Sequence, residues 1–132
     1  MGGLIVSKEN NLSELQISIL DILWEHGELS VNEVQELLKE KRDLAATTVA
    51  TILKRLEKRN IVSYKKIGRR FIYSANIAKN EVTKSSVSSV VKNLFKGNKA
   101  ALVSHLLQDE ELSLDELEQI QKLIQDKTQN NG

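Results

Sequence analysis

Cysteine and proline are both missing from this 132-residue chain, and only 4% of its residues are aromatic. Without cysteine there is no disulfide bond, no thiol nucleophile and no thiolate ligand for a metal ion. The absence of proline suits a mostly helical chain with few rigid turns. No apolar run approaches the roughly 20 residues of a membrane span, and the N-terminus lacks the pattern of a signal peptide. We therefore predict no membrane insertion and a cytoplasmic location.

The net charge of +1 conceals an uneven distribution of charged residues. Between positions 54 and 70, Glu57 is the one acid among eight cations: Lys54, Arg55, Lys58, Arg59, Lys65, Lys66, Arg69 and Arg70. Between Asp109 and Glu118 there are six acids and no base. A local cationic patch attracts polyanions even when the whole molecule is nearly neutral.

Two helices are predicted in the first part of the chain, each beginning at a capping box. In this motif a serine and a glutamine or glutamate three residues later satisfy each other's free backbone donors, as expected for Ser13 with Gln16 and for Ser30 with Glu33. The first apolar stripe comprises Leu12, Leu15, Ile19, Leu20, Ile22, Leu23 and Trp24, and the second comprises Val31, Val34, Leu37 and Leu38. Gly27 is predicted to end the first helix.

A third helix is predicted in the stretch AATTVATILKRLEKRN, residues 45–60. On a helical wheel, one side is apolar and consists of Val49, Ile52, Leu53 and Leu56. The outward side changes from small residues to cations along the helix and comprises Thr47, Ala50, Thr51, Lys54, Arg55 and Lys58, with Thr48 and Arg59 on a flank. This outward stripe is the candidate recognition surface.

A β-hairpin is predicted after the third helix. Two short β-prone runs, residues 61–67 and 70–74, are separated around Gly68, which relieves the tight turn. The predicted tip carries four cations: Lys65, Lys66, Arg69 and Arg70. Three helices followed by a basic hairpin form a winged helix-turn-helix, and we assign residues 1–76 to this DNA-binding domain.

The remaining residues, 77–132, are predicted to form three helices with exposed apolar stripes. Little chain is left to cover these stripes, so we predict that a second copy of the chain does so. The predicted dimerisation residues are Val87, Val90, Val91, Leu94, Leu102, Leu106, Leu117, Ile120 and Ile124. The fold class is therefore mainly α, with a winged helix-turn-helix followed by a three-helix dimerisation region.

The outward stripe and the wing predict binding to double-stranded DNA. A helix-turn-helix places its second helix in the major groove, where its N-terminal residues meet base edges. The predicted base-facing residues are Thr47, Thr48, Ala50 and Thr51. The predicted backbone and wing contacts are Ser30, Lys54, Arg55, Lys58, Lys65, Lys66, Arg69 and Arg70. Ser30 is expected mainly as a helix cap, and a homodimer would bind a palindromic operator.

No pattern in the sequence indicates an enzyme. His26 and His105 lie far apart in the sequence, and neither has the spacing of a metal ligand. The acids between positions 109 and 118 lack the alternating spacing of a calcium loop. There is no glycine-rich phosphate loop and no nucleophile elbow. We predict no catalytic residues, no cofactor and no metal.

Several segments resemble the penicillinase repressor family, that of the BlaI and MecI repressors. These are LSELQISILDILWEHGELSVNEVQELL, TTVATILKRLEKRNIV, GRRFIYSANI and, in the family's dimerisation region, LFKGNKAALVSHLLQDEELSLDELEQI. The resemblance implies a homodimeric repressor of genes for a β-lactamase or a resistant penicillin-binding protein. It also implies release through cleavage by a sensor-linked protease, and the matching bond here is His105–Leu106.

Two features depart from the family pattern. Well-known members carry a lysine and an arginine where this chain has Thr47 and Ala50, so their operator sequence does not transfer. The copper-responsive branch senses metal through C-terminal cysteines, which this chain lacks. Two alternatives stay open: a winged-helix regulator that responds to a different ligand or partner, and a protein-docking module whose basic face meets an acidic partner.

Overall fold

The computed structural model describes residues 12–131, which form six α-helices and a three-stranded antiparallel sheet. The helices are α1 (Glu14–His26), α2 (Val31–Leu38), α3 (Ala46–Lys58), α4 (Lys79–Leu94), α5 (Lys99–Leu107) and α6 (Leu114–Asn131). The strands are β1 (Leu29–Ser30), β2 (Val62–Ile67) and β3 (Arg70–Ala75), in the sheet order β1-β3-β2. The predicted mainly helical fold with an N-terminal winged helix-turn-helix is confirmed, while residues 1–11 and 132 of the predicted domains lie outside the described range.

The chain divides into two compact units, Met1–Val90 and Val91–Gly132. The dividing point lies inside α4, because this helix begins in the first unit and ends in the second. The division predicted between residues 76 and 77 is functional, separating DNA binding from dimerisation, and it stays a prediction.

Both predicted capping boxes are present in the first unit. At α1, the Ser13 Oγ accepts a hydrogen bond of 3.1 Å from the Gln16 N–H, and the Gln16 side chain accepts one of 2.9 Å from the Ser13 N–H. Ser30 and Glu33 form the same reciprocal pair at α2. Gly27, with φ at 83°, ends α1 in a conformation that a side chain would strain. Local sequence therefore sets where these helices begin and where α1 ends.

The core of the first unit contains side chains from α1, α2, α3 and the sheet. Its buried members are Ile19, Leu20, Leu23, Leu29, Val34, Leu38, Val49, Leu53, Leu56, Ile61, Val62 and Tyr73. The predicted stripes of α1 and α3 are confirmed. Leu37 was predicted on the apolar face of α2, but it is not packed there, because its side chain is 42% exposed. Val34 and Leu38 define the packed face of α2, and Leu37 lies about 100° around the helix from Leu38.

The wing is the β2–β3 hairpin, with Ile67 paired to Arg70 across a two-residue loop. Gly68 is the first loop residue and has a φ of 63°, as the type II′ turn of a tight hairpin requires. β1 pairs with β3, so that Leu29 faces Tyr73 and Ser30 faces Ile72. The sequence did not predict β1, because a two-residue strand has no periodicity to detect.

The second unit contains the end of α4 together with α5 and α6. A break follows α4 at Lys96 and Gly97, whose φ angles are 52° and 84°. The Asn98 side chain caps α5 by accepting from the Ala101 N–H, and Ser113 forms a capping box with Glu116 at α6. Over residues 12–131, none of the helices combines the length and apolarity needed to cross a membrane.

Candidate nucleic-acid interface

The outward stripe of α3 is held in place by the opposite side of the same helix. Val49, Leu53 and Leu56 are completely buried, so α3 cannot rotate without exposing them. The polar side is therefore turned away from the core, and most of its predicted members are exposed: Thr47, Thr48, Thr51, Lys54, Arg55 and Lys58. Ala50 is half-buried. Small residues thus occupy the N-terminal half of an accessible helix face, and cations occupy the C-terminal half.

Thr51 has a narrower hydrogen-bonding capacity than its residue type suggests. Its Oγ1 donates a hydrogen bond of 2.9 Å to the Thr47 carbonyl oxygen, one helical turn earlier. The hydroxyl proton is therefore used within the helix, and the oxygen lone pairs and the methyl group remain for an external partner. Thr51 can accept from a base amino group or contact a thymine methyl.

An open groove lies between the beginning of α1 and the exposed side of α3. Its lining residues are Ser13, Leu15, Gln16, Thr48, Thr51, Ile52 and Arg55. Thr48 faces this groove from the flank of the stripe, as the helical wheel predicted. The sequence missed the contribution of Ser13 and Gln16, because their capping pattern indicates only a helix start.

The four wing cations differ in their partners. The Lys65 ammonium lies 2.8 Å from the Glu28 carboxylate, and the Arg70 guanidinium lies 3.3 Å from that of Glu33. Lys66 lies over the Phe71 ring, 5.9 Å from its centroid. Throughout residues 12–131, no carboxylate lies within ion-pair distance of Lys66 or Arg69, nor of Lys54, Arg55 or Lys58 on α3. The structure thus brings the predicted cations onto one helix and its adjacent wing, with two of them neutralised internally.

Ser30 is occupied by contacts within the protein. It is 5% exposed, and its Oγ accepts hydrogen bonds of 3.2 Å from the Glu33 N–H and 2.9 Å from the Arg70 guanidinium. Both contacts belong to the cap of α2. The phosphate contact considered for Ser30 would need Ser30 to donate a hydrogen bond to a phosphate oxygen, and it stays a prediction.

The electrostatics of this cap keep Glu33 ionised. The backbone N–H of Ser30, then its side chain, hold the pKa of Glu33 below its usual range; desolvation opposes this shift, and the charge of Arg70 adds a lesser lowering effect. At neutral pH the carboxylate therefore carries its charge and can hold the guanidinium. The sequence predicted the capping box, but it gave no signal for Arg70, which lies 37 positions away from Glu33.

The predicted dimerisation residues are exposed to different degrees in the single chain. Leu94 is 73% exposed, Leu106 and Ile124 are each 55% exposed, and Val87, Val90 and Leu117 are also exposed. Leu102 and Ile120 are half-buried. Val91 differs, because it is only 7% exposed and so is already covered within one chain. The place of Val91 in the dimer stays a prediction, and little of its side chain is left for a partner to cover.

The second unit has further exposed apolar residues: Val103, Leu107, Leu114 and Leu123. Val103, Ile120, Leu123 and Ile124 also line a groove between α5 and α6 whose edge carries Lys127 and Thr128. The sequence contained the signal for Leu123, since it precedes Ile124 in the apolar stripe of α6. An apolar surface of this kind usually marks an interaction site.

The bond between His105 and Leu106 lies in the last turns of α5. The His105 ring lies edge-on to Phe95 at a centroid distance of 6.0 Å, and both residues of the bond are exposed.

Across residues 12–131, no three histidine, aspartate or glutamate side chains come together as a metal site.

The fold and this surface define a class of protein. Three helices, a hairpin wing and an outward helix face of small polar residues and cations are the elements of a winged helix-turn-helix transcription regulator that binds DNA.

The chain belongs to the penicillinase repressor family, which matches residues 12–126. The penicillinase repressor of Bacillus licheniformis is 23% identical over 121 residues, which cover 92% of this chain and 94% of that protein. The methicillin resistance regulatory protein MecI of Staphylococcus aureus strain N315 is also 23% identical, over 92% of this chain and 98% of its own. The complex structure of hsRosR-S4 shares the fold, with a TM-score of 0.54 at 17% identity over 97% of this chain and 99% of that chain. The predicted family is confirmed.

Proposed function

We propose that this protein is a homodimeric transcriptional repressor that binds palindromic operator DNA through α3 and the wing. The observation that carries the proposal is the outward face of α3. There, exposed threonines precede three cations that have no acidic partner among residues 12–131. A protein-docking surface would not require this order, whereas a helix entering the major groove needs small groups near the bases and cations near phosphates.

The side chains of α3 divide into two roles. Thr47, Thr48, Ala50 and Thr51 face the bases, where threonine oxygens accept hydrogen bonds and methyl groups contact thymine. Lys54, Arg55 and Lys58 neutralise phosphates, which raises affinity for every DNA sequence and fixes the register. Because Thr47 and Ala50 replace the lysine and arginine of well-known members, the preferred operator differs from theirs. Arginine usually reads guanine, and neither Thr47 nor Ala50 can make that contact.

Dimerisation joins two such helices through residues 77–132. Along α4, Val87, Val90 and Leu94 are spaced at three and four residues and are all exposed. Leu106, Leu117 and Ile124 are exposed apolar residues of α5 and α6. Burial of these side chains against a second copy removes them from water, and the resulting dimer binds two operator half-sites at once.

We further infer that the regulated genes belong to a β-lactam-resistance operon. The relatives named penicillinase repressor and methicillin resistance regulatory protein, each aligned over 92% of this chain, support this inference. Release would follow cleavage of the His105–Leu106 bond by a sensor-linked protease. A cut inside α5 divides the apolar surface, so each half of the dimer loses the affinity gained from linked half-sites.

The experiment is a selection of duplexes from a random-sequence library with the full chain. We expect enrichment of a palindrome whose half-sites lie one helical turn, or a multiple of it, apart. A gel shift of the selected and a scrambled duplex at two salt concentrations then measures specificity. Absence of any shift would favour the docking module, and an enriched site without symmetry would contradict the dimer.

Variants of α3 test the two roles separately. Lys54→Ala should weaken binding to selected and scrambled duplexes alike. It should also reduce the magnitude of the slope of log K against log salt by about 0.9. Lys122→Ala, on exposed α6, is the matched control and should leave the slope unchanged. Thr51→Val preserves side-chain shape but removes the oxygen, so it should change the preferred bases. Equal losses on both duplexes for Thr51→Val would contradict base contact.

A further inference from the structure

The outward face of the winged sheet contains two cation–carboxylate pairs. In the register of the sheet, Lys65 lies opposite Ile72, and Ser30 lies on the other side of Ile72. Side chains two positions apart along a strand share a face, so Arg70 also belongs to this side. Lys65 reaches the Glu28 carboxylate and Arg70 reaches the cap of α2. Both pairs therefore connect the hairpin to the segment around β1.

The contact of Arg70 is the more specific of the two. One guanidinium nitrogen, Nη2, donates to the Ser30 Oγ at 2.9 Å and to the Glu33 Oε1 at 3.3 Å. These two atoms are the acceptors of the α2 capping box, and Ser30 is only 5% exposed. Arg70 thus connects the first residue of β3 to the beginning of α2, 40 positions earlier in the chain.

We propose that Arg70 is a positioning residue that holds the wing against the start of α2, with Lys65 and Glu28 as a second support, and that it is not a phosphate contact. This inference rests on the proposed function and changes the expected role of two wing cations. Phosphate contact by the wing then comes from Lys66 and Arg69, which have no carboxylate partner among residues 12–131.

The physical reason is where the Arg70 contact lies along the hairpin. Val62 and Tyr73 anchor the base of the hairpin in the core, whereas Arg70 pairs with Ile67 beside the two-residue loop. β1 contributes only two residues to its pairing with β3. A two-stranded hairpin is marginally stable by itself, so a contact beside its loop helps to decide the direction of the part that extends beyond β1. Arg69 is the loop residue next to Arg70, so a change in that direction also moves Arg69. The Arg70 contact therefore holds the wing in one direction before DNA binds. Without this contact, ordering the wing costs free energy on binding, while the same phosphates are neutralised.

Arg70→Gln tests this role through the salt dependence of binding. Fluorescence anisotropy with the selected duplex over a range of KCl concentrations gives both affinity and slope. We expect about tenfold weaker binding, as for loss of a charged hydrogen bond, with an unchanged slope. The matched variant Arg69→Gln should reduce the magnitude of the slope by about 0.9, the amount expected for the loss of one phosphate contact. A comparable loss of slope in Arg70→Gln would overturn the proposal.

Glu33→Gln gives a second test with opposite expectations for the two roles. The Gln16 side chain already accepts from the Ser13 N–H at α1, so glutamine can maintain the cap while removing the charge near Arg70. If Arg70 has a positioning role, Glu33→Gln should weaken DNA binding, and the magnitude of the salt slope should not rise. If Glu33 merely withheld Arg70 from DNA, binding would strengthen and the slope would rise by about 0.9, which would also overturn the proposal.

A measurement without DNA separates this proposal from the proposed function. Amide hydrogen exchange in the free protein should become faster at Leu29, Ser30, Ile72 and Tyr73 in Arg70→Gln but not in Arg69→Gln. Unchanged exchange at these positions in Arg70→Gln would overturn the positioning role. If the parent protein bound no DNA, the proposed function would fail, while faster exchange would still support the Arg70 contact.

Discussion

Leu94→Ala is expected to separate dimerisation from folding. Leu94 is the last residue of α4, and its side chain is 73% exposed in the single chain. Full burial of a leucine side chain contributes about 1.5–3 kcal/mol. Leu94 can gain roughly three quarters of that on assembly, and a two-fold symmetric dimer contains the residue twice.

These quantities predict a loss of about 2–4 kcal/mol in dimerisation free energy, or roughly 30- to 1,000-fold in the dimer dissociation constant. Stability of the single chain should hardly change, because an exposed leucine contributes little to its core and alanine is a good helix former. Sedimentation equilibrium over a range of protein concentrations measures the dimer dissociation constant, and urea unfolding of the dilute monomer measures the stability of the single chain.

Leu37→Ala is the matched control, since Leu37 is an exposed leucine on α2, outside the predicted dimerisation region. We expect it to leave the dimer dissociation constant unchanged. An unchanged dissociation constant in Leu94→Ala, or equal changes in both variants, would refute the assignment of this surface to the dimer. Weaker operator binding should accompany Leu94→Ala, since monomers lose the linkage between half-sites.

Three further predictions concern the fold and the release step. Trp24→Phe removes the indole donor that lies 2.8 Å from the Ile77 carbonyl oxygen and should cost about 1 kcal/mol of stability in urea unfolding; an unchanged midpoint would contradict a role for this bond. Because the pKa of Glu33 is lowered in the folded state, its ionised form stabilises the protein above the usual pKa range of glutamate, and this contribution disappears as the pH falls through the lowered value. The stability difference between the parent and Glu33→Gln should therefore shrink in acid, and a difference independent of pH would exclude this linkage. A chain ending at His105 should be monomeric and bind a palindrome about a hundredfold more weakly, with half-site binding preserved; a stable dimer of this chain would contradict release by cleavage.

Most of the first unit could be predicted from sequence because its signals are local. The capping boxes at Ser13 and Ser30 depend on residues three positions apart, and both are present. The outward side of α3 follows from the spacing of its apolar residues, since a helix repeats every 3.6 residues. The hairpin follows from the change of period around Gly68, where the φ of 63° suits glycine.

The exposure of single side chains was less predictable. Leu37 and Val91 both fit an apolar stripe, yet Leu37 is 42% exposed and Val91 is 7% exposed. A stripe identifies which side of a helix is apolar, but the width of the buried part depends on the elements that pack there. Sequence periodicity does not contain that information, so errors arise at the edges of a stripe.

The sequence by itself determined the helix starts, the hairpin turn, the outward stripe of α3 and the family of this protein, because each depends on residues that are close in the chain or on whole segments. Only the tertiary structure decided how the wing cations are used. Arg70 meets Ser30 and Glu33 across 40 and 37 positions, and Lys65 meets Glu28. In the sequence these cations resemble Lys66 and Arg69, and they differ only because folding places β3 beside β1 and the beginning of α2.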